Sequence, residues 1–256
     1  MKLADYGEAL AYEVAFWMQG VFDPNYPIGQ LGKLSIEVSE KLRALAVITL
    51  LVKAESDFFH HNLIRSGRSR LAYLQRTRRE GIEADHFRSS GWCDSLMDAI
   101  AAGDLDLARQ IDSFSPGEFR DGHEYEDDYC CAQILQRFIR KPCPEDEIPP
   151  LLARLEAYLD GKANGRFDVM KSLAEKNQAE FDAAFASLLL ERDVRVAVDK
   201  ERGQLEEPHI VAQRLVFVEG LSFLRLAEFR GLTTEPEYQF CPLLARAPMT
   251  TPFPGE

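Results

Sequence analysis

"SSGWCDSLMDAIAAGDLDLARQIDSF" occupies residues Ser89–Phe114, and its centre decides the fold class. One helix stops at Gly103 and the next starts at once with Asp104. Glycine is the usual residue where a helix closes in a left-handed turn, so the stretch predicts an αα-hairpin. A second stretch, "DVMKSLAEKNQAEFDAAFASLLLER" (Asp168–Arg192), follows the same plan with Asn177 at the turn. Two weak copies about seventy residues apart hint at an internal repeat but do not make a solenoid.

Helical periodicity recurs along the rest of the chain and strand signals are scarce. "ADYGEALAYEVAFWMQG" (Ala4–Gly20) reads as a first helix, ended by the Pro- and Gly-rich "FDPNYPIGQLG". A long helix is expected from about Lys33 to Ile64, with Leu34, Val38, Leu42, Leu45, Ile48 and Val52 at three- and four-residue steps. Helices are also expected over about 123–141, over "PEDEIPPLLARLEAYLDG" (Pro144–Gly161), and from Pro208 to just before Gly231. That last helix is apolar nearly all round, which places it inside a bundle, and Gly220 within it predicts the close approach of a neighbouring helix. The fold class is all-α, an irregular multi-helix bundle built from αα-hairpins. A single all-helical domain is expected over 1–246, with 1–90 and 91–246 as sub-lobes, before a flexible, proline-rich tail at 247–256.

Acids outnumber bases 42 to 30, a formal charge of −12. That balance disfavours nucleic acid or an anionic membrane as the main partner and suits a binder of something basic. The start "MKLADYGEAL" lacks the apolar core of a signal peptide, and the longest apolar run, Leu45–Val52, is too short to cross a bilayer. Five cysteines without C-x-x-C spacing argue against a disulfide framework. Together these features predict a soluble, cytoplasmic protein.

No phosphate-binding loop, dinucleotide fingerprint, H-E-x-x-H or G-x-S-x-G is present. Chemistry, if any, points to "DGHEYEDDYCCAQIL" (Asp121–Leu135). Asp121 with Glu124 three residues on resembles a capping box, and first-turn acids suit the positive end of a helix. Stepping back by about 100° per residue from the apolar face (Cys131, Ile134, Leu135, Phe138) puts Glu124, Asp127 and Asp128 on the inward stripe, with Glu126 and Tyr129 outward. Such carboxylates must meet cations or line an opening, because burying them unpaired is prohibitive. The arginines of 65–79, Arg214 and Arg225 are candidate counter-ions, the first group otherwise reading as a solvated helix face. Metal ligation through His123 and Asp127 is the minor alternative. Adjacent His60 and His61 cannot share an ion on one helix face. Glu219, set among apolar residues, is the acid most expected to be buried, with its partner on a neighbouring helix.

The segments "WCDSLMDAIAAGDLDLARQI", "DGHEYEDDYCCAQIL", "SLAEKNQAEFDAAFASLLLER", "VEGLSFLRLAEFRGL" and "YQFCPLL" together resemble the all-helical immunity proteins of bacterial polymorphic toxin systems, most closely the immunity protein 49 family. The similarity runs from about Trp92 to Leu244, and its most telling parts are the F-x-x-A-F-x-x-L-L helix around Phe181 and Phe185 and the closing "RLAEFRGL". The resemblance implies a non-enzymatic, cytoplasmic antitoxin that binds a cognate effector delivered by a contact-dependent or type VI secretion route. It supplies no catalytic residues, and no cofactor or metal is expected. The expected partner-binding surface is Glu118, Asp121, Glu124, Tyr125, Glu126, Asp127, Asp128 and Tyr129, with the two tyrosines as anchors and a basic toxin such as a nuclease as the partner. Self-association is left open. The other readings are a helical-repeat scaffold or adaptor, and a metal-dependent bundle enzyme using His123, Asp127 and Glu219.

Overall fold

The computed structural model describes residues 2–83 and 85–254. Among them are eleven α-helices and no strand, so the fold is all-α.

The first three helices form one layer. Helix α1 (Leu3–Phe22) runs antiparallel to α2 (Ile28–Lys53), since Gly7 meets Ile48 and Gly20 meets Leu34. Helix α3 (Ser56–Arg79) returns along α2, with Ser39 Oγ donating to the Ser66 carbonyl at 3.2 Å and Ser69 Oγ to that of Ser35 at 3.4 Å. Small serines at this seam let the two backbones approach, and their hydroxyls are satisfied without water. The single helix expected over 33–64 is thus two. The break falls at Ala54, a left-handed residue at φ 56° whose N–H still donates to the Leu50 carbonyl. Neither glycine nor proline marks this turn. An αL alanine costs about 1–2 kcal/mol, which the packing of α2 on α3 has to offset.

The quoted hairpin forms as expected. Helix α4 (Asp94–Ala101) ends before Gly103 at φ 80°, and the Asp104 side chain caps α5 (Leu105–Phe114) by accepting from Leu107 N–H at 2.9 Å. The hairpin presses on α3 at Gly67, where an added Cβ would lie 2.8 Å from Leu107 and 3.3 Å from Ala99. Contacts between α3 and the α4–α5 hairpin therefore join the two expected sub-lobes directly.

Helices α6 (Glu126–Ile139) and α7 (Ile148–Leu159) pack on each other, as do α8 (Gly165–Glu175) and α9 (Gln178–Glu201). In the latter turn Lys176 takes the left-handed position and Asn177 caps α9. At 24 residues, α9 is far longer than α5, so the two hairpins are not copies of one unit.

The apolar helix expected from Pro208 to before Gly231 is also split, into α10 (Pro208–Arg214) and α11 (Val218–Phe229). Arg192 from α9 makes the break: its Nη2 donates to the carbonyls of Gln213, Arg214 and Val216. Phe217 N–H turns away to the Phe240 carbonyl at 2.8 Å. Helix α11 lies against α4, as its apolar circumference requires. Gly220 is there because an added Cβ would sit 2.5 Å from the Phe217 ring and 2.9 Å from Cys241 Sγ, so it accommodates a crossing loop rather than a helix.

The tail expected to be flexible lies against α3. Asp57 accepts from Thr250 N–H, Thr250 Oγ and Thr251 N–H at 2.6–2.9 Å. His60 and His61 sit in the first turns of α3 and meet the carbonyls of Ala247 and Thr251, and Phe253 packs edge-on to His61. The half-buried Asp57 carboxylate and the buried His60 and His61 imidazoles at one helix start give this Pro-rich segment the partners it cannot supply itself.

Candidate functional site

The acidic stretch before α6 builds one wall of a cleft, though not by the capping expected. Tyr125 occupies the N-cap position without a side-chain cap bond, and Asp121 lies outside the helix. Glu124 reaches across instead. Its Oε2 accepts from Gly91 N–H at 2.8 Å and Ser90 Oγ at 3.2 Å, while Oε1 accepts from Arg120 N–H at 3.2 Å. It thereby ties the 118–125 loop to the turn before α4. Gly91 is needed at that seam, because a Cβ there would lie 3.1 Å from Asp128 and 3.2 Å from Glu124.

Tyr129, expected to face outward as an anchor, is buried. Its hydroxyl donates to the Gly117 carbonyl at 2.9 Å and its ring meets Phe119 edge-on. Arg154 of α7 lies over both rings, at 5.1 Å from Tyr129 and 4.9 Å from Phe119, and pairs with Glu126 at 2.6 Å. The helix in fact starts at 126, and the ring finds an apolar berth at its base, so the 100° extrapolation placed this residue on the wrong side. Tyr125, by contrast, is 74% exposed at the rim.

The expected counter-ions also differ. Arg214 pairs with Asp199 and Arg225 with Glu228, both away from this wall. Nor is the 65–79 arginine run simply a solvated face, since Arg70 is fully buried and donates to the carbonyls of Phe87, Arg88 and Ser89. The cations at the site are Arg154 and Arg166, from α7 and α8. Arg166 pairs through Nε with Glu219, which the sequence expected to find its partner on another helix, and reaches Asp128 at 3.8 Å.

The resulting cleft of about 770 Å³ is lined by His86, Trp92 and Asp94 from the 86–94 turn, by Asp121, His123, Tyr125 and Asp128 from the 121–128 stretch, and by Arg166. His86 stands edge-on to Trp92 at 5.6 Å, and Trp92 rests on Phe87. Glu124 also lines the cleft; Asp94 is already paired with Arg43 at 2.9 Å, so Asp121, Glu124 and Asp128 face a single arginine whose charge is engaged by Glu219. Among the described residues Asp121 and Asp127 make no ion pair, and Glu118 is exposed beside them. Burial, with the neighbouring Asp127 carboxylate second, raises the Asp128 pKa. The field reaches further still: Asp127, then burial, then Glu126 and Asp128 push up the phenol of Tyr158 on α7.

Of the expected surface, Glu118, Asp121, Tyr125, Asp127 and Asp128 remain available, while Glu124, Glu126 and Tyr129 are engaged in holding the wall together. Asp94, Trp92 and His86 were missed as wall residues. Only the folded chain brings the 86–94 turn opposite the 121–128 loop, and no local spacing announces it. Among the described residues no group of three or more His, Cys, Asp or Glu is placed to hold a metal ion, so His123, Asp127 and Glu219 do not converge. The cysteines are free; burial pushes the Cys130 thiol up to about 11 and that of Cys131 up to about 12, which suits packing rather than nucleophilic attack. No helix among the described residues is long and apolar enough to cross a membrane.

What these helices present is a preorganised, negatively charged recess with aromatic walls, a feature of a binding protein. Comparison with known families agrees with that class. The chain matches the family described as Immunity protein 49 over residues 40–244, and it belongs to that family. The match begins well before Trp92 and takes in the second half of α2 and all of α3. No curated protein and no solved structure matches the chain.

Proposed function

We propose that this chain is the antitoxin of a cognate bacterial toxin, acting in the cytoplasm as one stiff body that occupies its partner without chemical turnover. A toxin delivered by type VI or contact-dependent secretion, with a basic surface of the kind nucleases carry, is the partner that the family membership and the charge favour. The observation that carries the reading is the cleft beside α6, where Asp121, Glu124 and Asp128 outnumber Arg166, Asp94 being paired with Arg43. Fixed carboxylates at a recess attract a basic partner over about a Debye length and raise the association rate by roughly 10–10³-fold. Tyr125 and Trp92 supply aromatic contact area at low entropic cost once the partner has arrived.

The raised pKa of Asp128 fits the same reading. Self-repulsion and desolvation make its ionised form costly in the free protein, and a lysine or arginine from the partner relieves both.

The test has two arms. Co-expression with a candidate cognate toxin measures protection directly, and loss of protection overturns the antitoxin reading. Association kinetics of the Asp121→Lys, Asp127→Lys double variant then examine the surface. A fall in association rate of about tenfold or more, with a weaker salt dependence, is expected. An unchanged rate and salt slope in a protective protein moves the interface elsewhere.

A further inference from the structure

The acidic cleft does not end at Asp94. A gap of about 10 Å³ and a second recess of about 300 Å³ follow it, and Asp94 lines all three. Trp92 is shared by the cleft and the gap, and Glu40 and Arg43 by the gap and the second recess. The three form one trough. It runs from the 121–128 stretch, past the Arg43–Asp94 ion pair, to the face between α2 and the α10–α11 break. Ala44 of α2, Ala212 of α10 and Val216, Phe217 and Val218 at the break supply the apolar part of the second recess.

The cations along this trough are engaged within the protein. Arg43 is paired with Asp94 and Asp98, Arg166 with Glu219 and Arg214 with Asp199, while Arg192 holds three carbonyls of the break. The carboxylates are not all matched. Asp121 makes no ion pair among the described residues, and Asp128 lies 3.8 Å from an arginine already held by Glu219. At the second recess the exposed Glu40 also makes no ion pair among the described residues, since Lys41 pairs with Glu13 and Arg43 with the two aspartates. Desolvation, then the Asp94 carboxylate, raises the Glu40 pKa, with Arg43 acting against both.

Each end of the trough therefore sets an apolar wall beside an unmatched acid. Trp92 stands with Asp121 and Asp128 at one end, and Ala44 and Val216 with Glu40 at the other. That pairing suits a long basic side chain, whose methylene stem covers apolar surface while its head meets a carboxylate. At the first end the indole adds a face for a cation.

We propose that the trough holds an extended segment of the partner with two basic side chains, one on each side of the Arg43–Asp94 pair. The proposal rests on the antitoxin reading and names the part of the toxin that is held. The narrowing at Asp94 excludes a helix of about 10–12 Å diameter from lying along the trough, whereas an extended chain can cross it and drop a side chain into each recess. Both recesses lie wholly within residues 40–244, the span matched by the family.

Fluorescence anisotropy of the full chain with labelled probe peptides tests it. The probes carry one arginine, or two arginines separated by up to about six glycines, a range that spans the trough in extended form. Tethering makes the second contact intramolecular, so one spacing is expected to bind about tenfold or more tighter than the single-arginine peptide. Glu40→Gln is expected to cut that gain to about twofold or less, and Asp121→Asn with Asp128→Asn to weaken every peptide. Unchanged helical circular dichroism shows that the variants fold. Equal binding at all spacings, no binding of any peptide, or a gain that survives Glu40→Gln overturns the proposal. Co-expression with a candidate toxin keeps the two readings apart. A chain that protects but has no preferred spacing loses the trough alone, and one that prefers a spacing but does not protect loses the antitoxin reading alone.

Discussion

Arg166 of α8 lies between Glu219 of α11 and Asp128 of α6, bonded to the first through Nε and 3.8 Å from the second. One guanidinium thus joins three helices and, among the described residues, is also the only arginine or lysine lining the acidic cleft. Replacing it with methionine strands Glu219, whose side chain is 17% exposed. We expect a loss of about 2 kcal/mol in urea unfolding, less than for a fully buried pair because Arg166 is partly solvated. The same variant makes the cleft more negative, so association with a basic partner becomes faster while stability falls. A slower association would show that Arg166 itself contacts the partner.

Arg70 carries the second prediction. It is buried with no carboxylate among the described residues paired to it, and the carbonyls of Phe87, Arg88 and Ser89 compensate its charge. Burial pulls its pKa down to about 10, so it remains a cation at neutral pH. A lysine cannot offer a planar fork to three carbonyls. Arg70→Lys is expected to cost about 2–3 kcal/mol and to loosen the turn bearing His86 and Trp92. Calorimetry and tryptophan fluorescence read both effects; an unaltered emission maximum with lowered stability would separate the turn from the arginine.

The third concerns pH. Burial raises the Asp98 pKa to about 6, against the lowering effects of Arg43 and Ser66, which bond it at 2.6 and 2.5 Å. The folded chain therefore takes up this proton before the unfolded chain does. Asp98 contributes most to stability below the unfolded carboxylate pKa, and that contribution is lost as pH rises through about 6. Asp98→Asn removes the dependence. The stability of the parent relative to the variant should grow from pH 7 to pH 5 in denaturant titrations, and a flat difference would contradict the assignment.

The tail supplies the fourth. Hydrogen bonds from the Thr250 side chain and backbone, and then from Thr251, hold Asp57 well below the usual carboxylate range. A depressed pKa means that the clamp is present above the unfolded value and is lost only as pH falls through the lower folded one. It should survive at pH 5. Asp57→Ala is expected to open residues 247–254 to proteolysis and amide exchange while the unfolding midpoint of the bundle barely moves. A large drop in midpoint would make the tail part of the core.

The sequence by itself determined the helical class, the Gly103–Asp104 and Asn177 hairpins, the pairing of Glu219 with a neighbouring helix and the family. Each of these rests on signals local to a turn or on a pattern spread along whole helices, and such signals survive without tertiary context. It did not show that the fully buried acid is Asp98, Glu219 being only half-buried. Where α2 gives way to α3 at Ala54 and α10 to α11 at Leu215–Phe217 was not legible. Those breaks are set by packing and by Arg192, more than twenty residues from the carbonyls it binds. The cleft was half legible. The run of acids before α6 is plain in the chain, but which of them face outward depends on Arg154 and Arg166 from other helices. The wall opposite, His86 and Trp92, is brought there by Arg70 and Glu124, contacts between residues distant in sequence that only the closed bundle creates.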